Sequence, residues 1–188
     1  MRVLRRVVLL LIVLAIVAVA ALVLTTRPDL EDADKQVDTT WTATLEPLDA
    51  RYTLLGQANA TLSPRPGPAG ALAKDVDAGL QRWVKAREDD NRADAIAAAN
   101  ELEGLGRRVV VLVTNSPTLA GDPAVKGPTD AFAAAALPAE LTAFTNAVQA
   151  YQDERQGPVK GVVADVFGFD AMPTVAIPPP PAEPSAPA

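Results

Sequence analysis

The sequence predicts an all-α protein: an antiparallel up-and-down helical bundle of about four helices plus a short C-terminal helix, behind one N-terminal transmembrane helix. Three observations carry this expectation. Residues 7–24 form an unbroken apolar run directly behind Arg2, Arg5 and Arg6. Beyond it, apolar side chains recur at steps of three and four, the spacing of helices with one buried stripe. Groups of Pro and Gly separate the stripes, so successive helices are joined by short breaks and fold back on one another.

The apolar run holds six Val, six Leu, two Ile and four Ala. As a helix it spans about 27 Å, close to the roughly 30 Å hydrocarbon thickness of a bilayer. Each Val, Leu or Ile contributes on the order of −0.3 to −0.6 kcal/mol to insertion, with no charge to offset it. Arginines precede the run, while Asp29, Glu31, Asp32 and Asp34 follow it, so the N-terminus faces the cytoplasm and the remainder faces out. Ala18-Val19-Ala20 fits a signal-peptidase site, and secretion after cleavage is the rival reading. Cleavage there leaves an apolar new terminus, which favours an uncleaved single-pass anchor in the cell membrane. The expected organisation is a cytoplasmic basic stub over residues 1–6, the anchor over 7–24 and an acidic spacer over 25–37. The bundle then occupies 38–170, and a disordered Pro-rich tail 171–188.

Each helix has its own marks. Trp41, Leu45, Leu48, Tyr52, Leu55 and Leu62 make the first stripe, with Asp38 or Thr39 as N-cap and Pro47 expected to kink or restart the helix. Ser63-Pro64-Arg65-Pro66-Gly67-Pro68 breaks it. Leu72, Val76, Leu80 and Trp83 make the second stripe, closed by the acidic turn Glu88-Asp89-Asp90-Asn91. The third runs over residues 94–113 through Ile96, Ala99, Leu102, Leu105, Val109 and Leu112; its last turns, apolar all round, are expected at the centre of the core. Asn115-Ser116-Pro117 ends it, and a loop is expected up to Pro128. A fourth helix starts near Asp130, is interrupted or capped at Pro138, and carries Leu141, Phe144, Val148 and Tyr151. Residues 159–169 form the last short piece, before a tail with seven prolines in 173–188.

Composition narrows function by absence. The chain has neither Cys nor His, which removes disulfides, thiolate nucleophiles, the commonest general base and the commonest metal ligand. Outside the stub, 14 basic residues (17 less three) face 23 acidic ones, or −9, which disfavours nucleic acid. Glu88, Asp89, Asp90, Asp94, Glu101 and Glu103 lack the spacing of a calcium loop and read as solvated turn and helix charges. Ser63 and Ser116 adjoin prolines and Ser185 lies in the tail, so none has a base at catalytic spacing. Trp41, Trp83, Tyr52 and Tyr151 occupy stripe positions and read as core. Arg51 reads either as a buried partner of an acidic side chain on another helix or as a snorkelling surface residue. Asn59-Ala60-Thr61 fits a glycosylation acceptor of a eukaryotic secretory pathway.

Two stretches resemble the LemA family. Val37-Asp38, Trp41, Leu45, Leu48, Arg51-Tyr52 and Leu54-Leu55 are similar to its V-x-x-x-W, spaced Leu and R-R-Y-x-L-I segment. Phe144-Thr145-Asn146-Ala147-Val148-Gln149-Ala150-Tyr151 resembles its Y-N-x-x-V-x-x-Y-N run, and Val163-Ala164-Asp165-Val166-Phe167-Gly168-Phe169 its V-A-x-L-F-G-F ending. Between them, Asn115-Ser116-Pro117-Thr118-Leu119 stands where that family has a Y-P-x-L turn. Ala50, Gly56-Gln57, Thr145 and Gln152 depart from the pattern, as in a divergent member. The resemblance implies an extracytoplasmic helical bundle on one anchor and carries over no catalytic residue. The sequence thus leads to a non-catalytic interaction or scaffold module of the cell envelope, without cofactor or metal, bound to an envelope protein partner. An envelope enzyme or ligand sensor with a polar pocket between helices is the alternative.

Overall fold

The computed structural model describes the backbone of residues 2–135, 139–157 and 160–175, with side chains from residue 23 onward. Among the described residues there are seven helices and no strand. They are α1 (Arg2–Leu62), α2 (Pro68–Glu88), α3 (Arg92–Asn115), α4 (Pro117–Ala120), α5 (Pro123–Ala134), α6 (Ala139–Arg155) and α7 (Lys160–Phe167). Among these residues no helix is long and apolar enough to cross a membrane; α5 and α6 together meet that length and composition only as a pair bent by 45°. Most of the run over residues 7–24 lies outside the residues with described side chains.

The first correction concerns α1, which continues through the expected spacer, the expected N-cap and Pro47. Thr26, Leu30, Val37, Trp41, Thr44, Leu48, Tyr52, Leu55, Asn59 and Leu62 are all buried, and their spacing never leaves one helical face. An interior proline costs about 3 kcal/mol; burial on both sides of Pro47 offsets it. Two acidic residues of the spacer pair along the helix off that face, Glu31 with Arg27 at 2.7 Å and Asp32 with Lys35 at 3.2 Å. Thr39, instead of capping, donates its hydroxyl to the Lys35 carbonyl at 2.8 Å.

The chain divides into two compact units. One comprises Met1–Thr42 and Thr142–Met172, and it joins the first part of α1 to α6 and α7. Trp41 and Phe144 meet with ring centroids 5.1 Å apart. Leu30 shares a buried cluster with Val163 and Ala164. The Tyr151 hydroxyl donates to the Asp170 carbonyl at 2.9 Å and the Gln152 amide to that of Met172 at 2.8 Å, tying the segment after α7 to α6.

The second unit comprises Ala43–Leu141 and Pro173–Ala188. Its side-chain pairs fix helix direction. Asn59 bonds Asp77 at 2.7 Å, while Asp49, ten residues earlier, bonds Arg87, ten residues later, at 2.8 Å, so α1 and α2 are antiparallel. Arg82 with Glu101 and Asp75 with Arg108 establish the same relation between α2 and α3. Gly79 permits the close approach, since a Cβ there would lie 2.9 Å from Leu102 Cδ2.

Three further expectations change. The loop expected up to Pro128 is instead α4 and the start of α5. Pro117 and Pro123 sit in first turns, where a missing N–H is harmless, and Asp122 caps α5 by accepting from the Ala124 amide at 3.0 Å. The apolar end of α3 is not central throughout, for Val109 and Val113 are buried while Val111 is exposed. The beginning of the Pro-rich tail is placed: Val175 is buried, and the Thr174 carbonyl accepts from Asn100 at 3.2 Å. Leu137, Pro138 and residues 176–188 lie outside the described residues.

Two glycines on α3 supply a stability test. A Cβ on Gly106 would stand 2.4 Å from Phe132 Cζ, whereas one on Gly104 meets nothing within 4 Å. Gly104→Ala should raise stability by about 1 kcal/mol through helix propensity. Gly106→Ala gains the same propensity but overpacks the Phe132 ring, for a net loss of roughly 1 kcal/mol. Urea unfolding of both variants reads the opposite signs. A second test concerns Asp122. The Arg65 guanidinium bonded to its carboxylate, with the Ala124 amide, holds its pKa below the ordinary value. A depressed carboxylate stabilises above its unfolded pKa and loses that contribution as pH falls through its folded one. Asp122→Asn should therefore destabilise at pH 7, with the gap to the parent closing as pH drops below about 4.

Candidate functional site

Arg51 and Tyr52 are neighbours on the buried face of α1, and each is committed to α3. Arg51 grips Glu103 with two parallel bonds, Nε to Oε1 at 2.7 Å and Nη2 to Oε2 at 2.9 Å. Its Nη1 donates to the carbonyls of Phe132, at 3.2 Å, and Ala135. These carbonyls belong to the C-terminal end of α5, where intrahelical partners run out. The guanidinium carbon lies 4.3 Å from the centroid of the Phe132 ring. The side chains of Arg51 and Glu103 are only 11% and 4% exposed. Of the two readings of Arg51, the buried partner is the one observed. Each carboxylate oxygen accepts one of these bonds, and four of the five guanidinium N–H groups are occupied, so the pair is committed to holding α1, α3 and α5 together.

Tyr52 donates its hydroxyl to the Ala99 carbonyl at 3.3 Å. Burial raises its phenol pKa far above the ordinary value, and the nearby Glu103 carboxylate adds to this, so the hydroxyl stays protonated. Its ring meets Trp83 edge-on with centroids 5.0 Å apart. The Trp83 indole donates to Asp49 at 2.7 Å, and Arg87 holds the other oxygen of Asp49. Outside this aromatic pair an open groove of about 620 Å³ runs between α1 and α2, lined by Thr53, Gly56, Leu80, Val84 and Glu88 besides these residues. A second groove, of about 530 Å³, lies between the start of α2 and the end of α3; Leu72, Arg107, Arg108 and Val111 line it.

The remaining motif positions fall in the other unit. Trp41, Phe144, Val148 and Tyr151 are buried. Phe167 is partly exposed, Phe169 packs on the Leu30 cluster, and Gly168 takes a φ of +77° where α7 ends. Such an angle favours glycine at a helix C-terminus. The motif residues are thus mostly core, and the structure gathers them into no single cavity.

The acidic residues disperse to separate partners. Asp89 bonds Lys85, the Asp94 carboxylate accepts from the Asn91 side-chain amide, Glu101 bonds Arg82 and Glu103 bonds Arg51. Among the described residues no three His, Cys, Asp or Glu side chains converge on a common point. Asn59 is buried, its amide bonded to the Ala73 carbonyl at 3.0 Å as well as to Asp77, so folding closes the N-x-T site. Sequence reasoning missed Asp49 and Asn59 as polar pins and Glu103 as the partner of Arg51. Glu103 lies one residue from the Leu102 stripe, and that position was the available signal.

Removing one member of a buried pair strands the other, at about 3–5 kcal/mol, while an apolar pair of similar volume is often neutral. Arg51→Met alone should therefore unfold at clearly lower denaturant, and Arg51→Met with Glu103→Met should recover most of the loss. Chemical denaturation of the single and double variants checks this. Comparison with protein-family models, with curated proteins and with solved structures finds no match to this chain.

Proposed function

We propose that the chain is a membrane-anchored, extracytoplasmic helical module, similar to LemA-family proteins, that binds another envelope protein and performs no chemistry itself. In this reading residues 7–24 cross the membrane with the N-terminus inside, and the up-and-down topology predicted by the stripes belongs to the same proposal. The observation that carries the binding role is the groove between α1 and α2. Its floor is apolar through Tyr52, Leu80 and Trp83, Val84 is exposed beside it, and Asp49, Arg87 and Glu88 mark its edge. An apolar channel with a charged rim suits one face of an amphipathic helix.

The alternative, an enzyme or sensor, calls for unsatisfied ionisable groups converging on a cavity. Glu103 is the buried carboxylate among the described residues, and it is paired through both oxygens with Arg51 and lines neither groove.

The test is photocrosslinking of the anchored protein in cells, with the reactive residue at Thr53 or Val84 in the groove, or at Gln149 on α6. The expected result is one dominant envelope protein captured from the groove positions and lost in a Val84→Asp variant. Background capture from every position would overturn the module reading.

A further inference from the structure

α7 is seated on the first part of α1, within one unit. Leu30 packs with Val163 and Ala164, and the Arg27 guanidinium lies 5.1 Å from the Phe167 ring centroid. Contacts that advance along α7 therefore retreat along α1, and the two helices are antiparallel. The C-terminal turn of α7 points toward the end of the apolar run. Large apolar side chains are exposed on α7 and on the facing stretch of α1, Val166 at 73%, Val162 at 61%, Phe167 at 42% and Leu24 at 75%, with the charged Asp165 and Arg27 exposed among them. Val162 and Val166 stand one turn apart on a side of α7 turned away from the Leu30 cluster. The turn itself is firmly closed, with Gly168 at φ +77° and the Phe169 amide donating to the Ala164 carbonyl at 2.9 Å.

Height along α1 decides what covers this patch. Arg27 stands about 4.5 Å beyond Leu24, and Leu30 about 9 Å. The headgroup layer beside the hydrocarbon core is about 5–8 Å thick, and amphipathic segments sink about 5–10 Å into that boundary. With residues 7–24 in the bilayer, Phe167 and Val166 lie at headgroup depth and Arg27 at the level of the phosphates. We propose that the C-terminal turn of α7, with Leu24, inserts into the boundary between headgroups and acyl chains on the outer face of the membrane. The inference rests on the anchor reading. It gives the chain a second lipid contact about 140 residues after the first.

Because the sequence has no Cys, single cysteines can carry a nitroxide without interference. Leu24→Cys, Thr39→Cys and Val166→Cys are labelled in the full chain, reconstituted in phosphatidylcholine vesicles, and tested for collision with oxygen and with a water-soluble nickel chelate. Labels at Leu24 and Val166 should favour oxygen, and the label at Thr39, about 22 Å beyond Leu24, should favour nickel. Oxygen access at Leu24 with nickel access at Val166 would overturn the lipid contact and leave the anchor standing. Nickel access at both would remove the anchor, and the proposal with it. A Val166 label shielded from both reagents would mean that a second copy of the chain covers the patch, which also overturns it.

Discussion

A guanidinium buried among helices has to find acceptors, and Arg51 finds four bonds on two other helices. That requirement fixes the second unit. Glu103 fixes the rotation of α3 about its axis, and the carbonyls of Phe132 and Ala135 fix where α5 ends. The Phe132 ring, with its centroid 4.3 Å from the guanidinium carbon, in turn leaves no room for a Cβ at Gly106. A hydrophobic stripe tolerates small rotations, because apolar contacts are not directional. Two parallel bonds to one carboxylate do not. The apolar residues make the helices associate, and this pair selects one arrangement among those that burial alone would accept.

The same division explains what was legible in the sequence. Helical class and breaks were readable because period and punctuation are local properties. The stripe positions Leu48, Tyr52, Leu55, Leu72, Val76, Trp83, Ile96, Leu102, Phe144 and Tyr151 are all buried as expected. Proline misled twice, at Pro47 and between Pro117 and Pro128, because its local penalty says nothing of the tertiary burial or capping that offsets it. Asp122, capping α5, makes Pro123 a helix start, and Pro117 starts α4 behind Ser116. The polar pins were the least legible. Asp49, Asn59 and Glu103 are ordinary surface residues by type, and only the meeting of helices distant in sequence makes Asn59 and Glu103 interior and ties down the half-exposed Asp49.

In the second unit Arg51 and Glu103 bond each other, and Arg51 and Tyr52 also bond backbone carbonyls of other helices, contacts that serve architecture. The described surface carries the grooves beside α2 and the exposed apolar side chains of α7. The chain has neither His nor Cys, and its buried Tyr52 phenol is held protonated.

The reach of Arg51 also orders the assembly of the chain in time. Its partners lie 52, 81 and 84 residues further on. The α2 and α3 pair, by contrast, is linked through only Asp89, Asp90 and Asn91, and it closes a short loop. Loop-closure entropy favours the local pair as an early structure and makes the Arg51 contacts late. Interactions absent from the folding transition state act mainly on the unfolding rate. The ion pair is then a latch, closing after the helices have met and governing how long the native state persists.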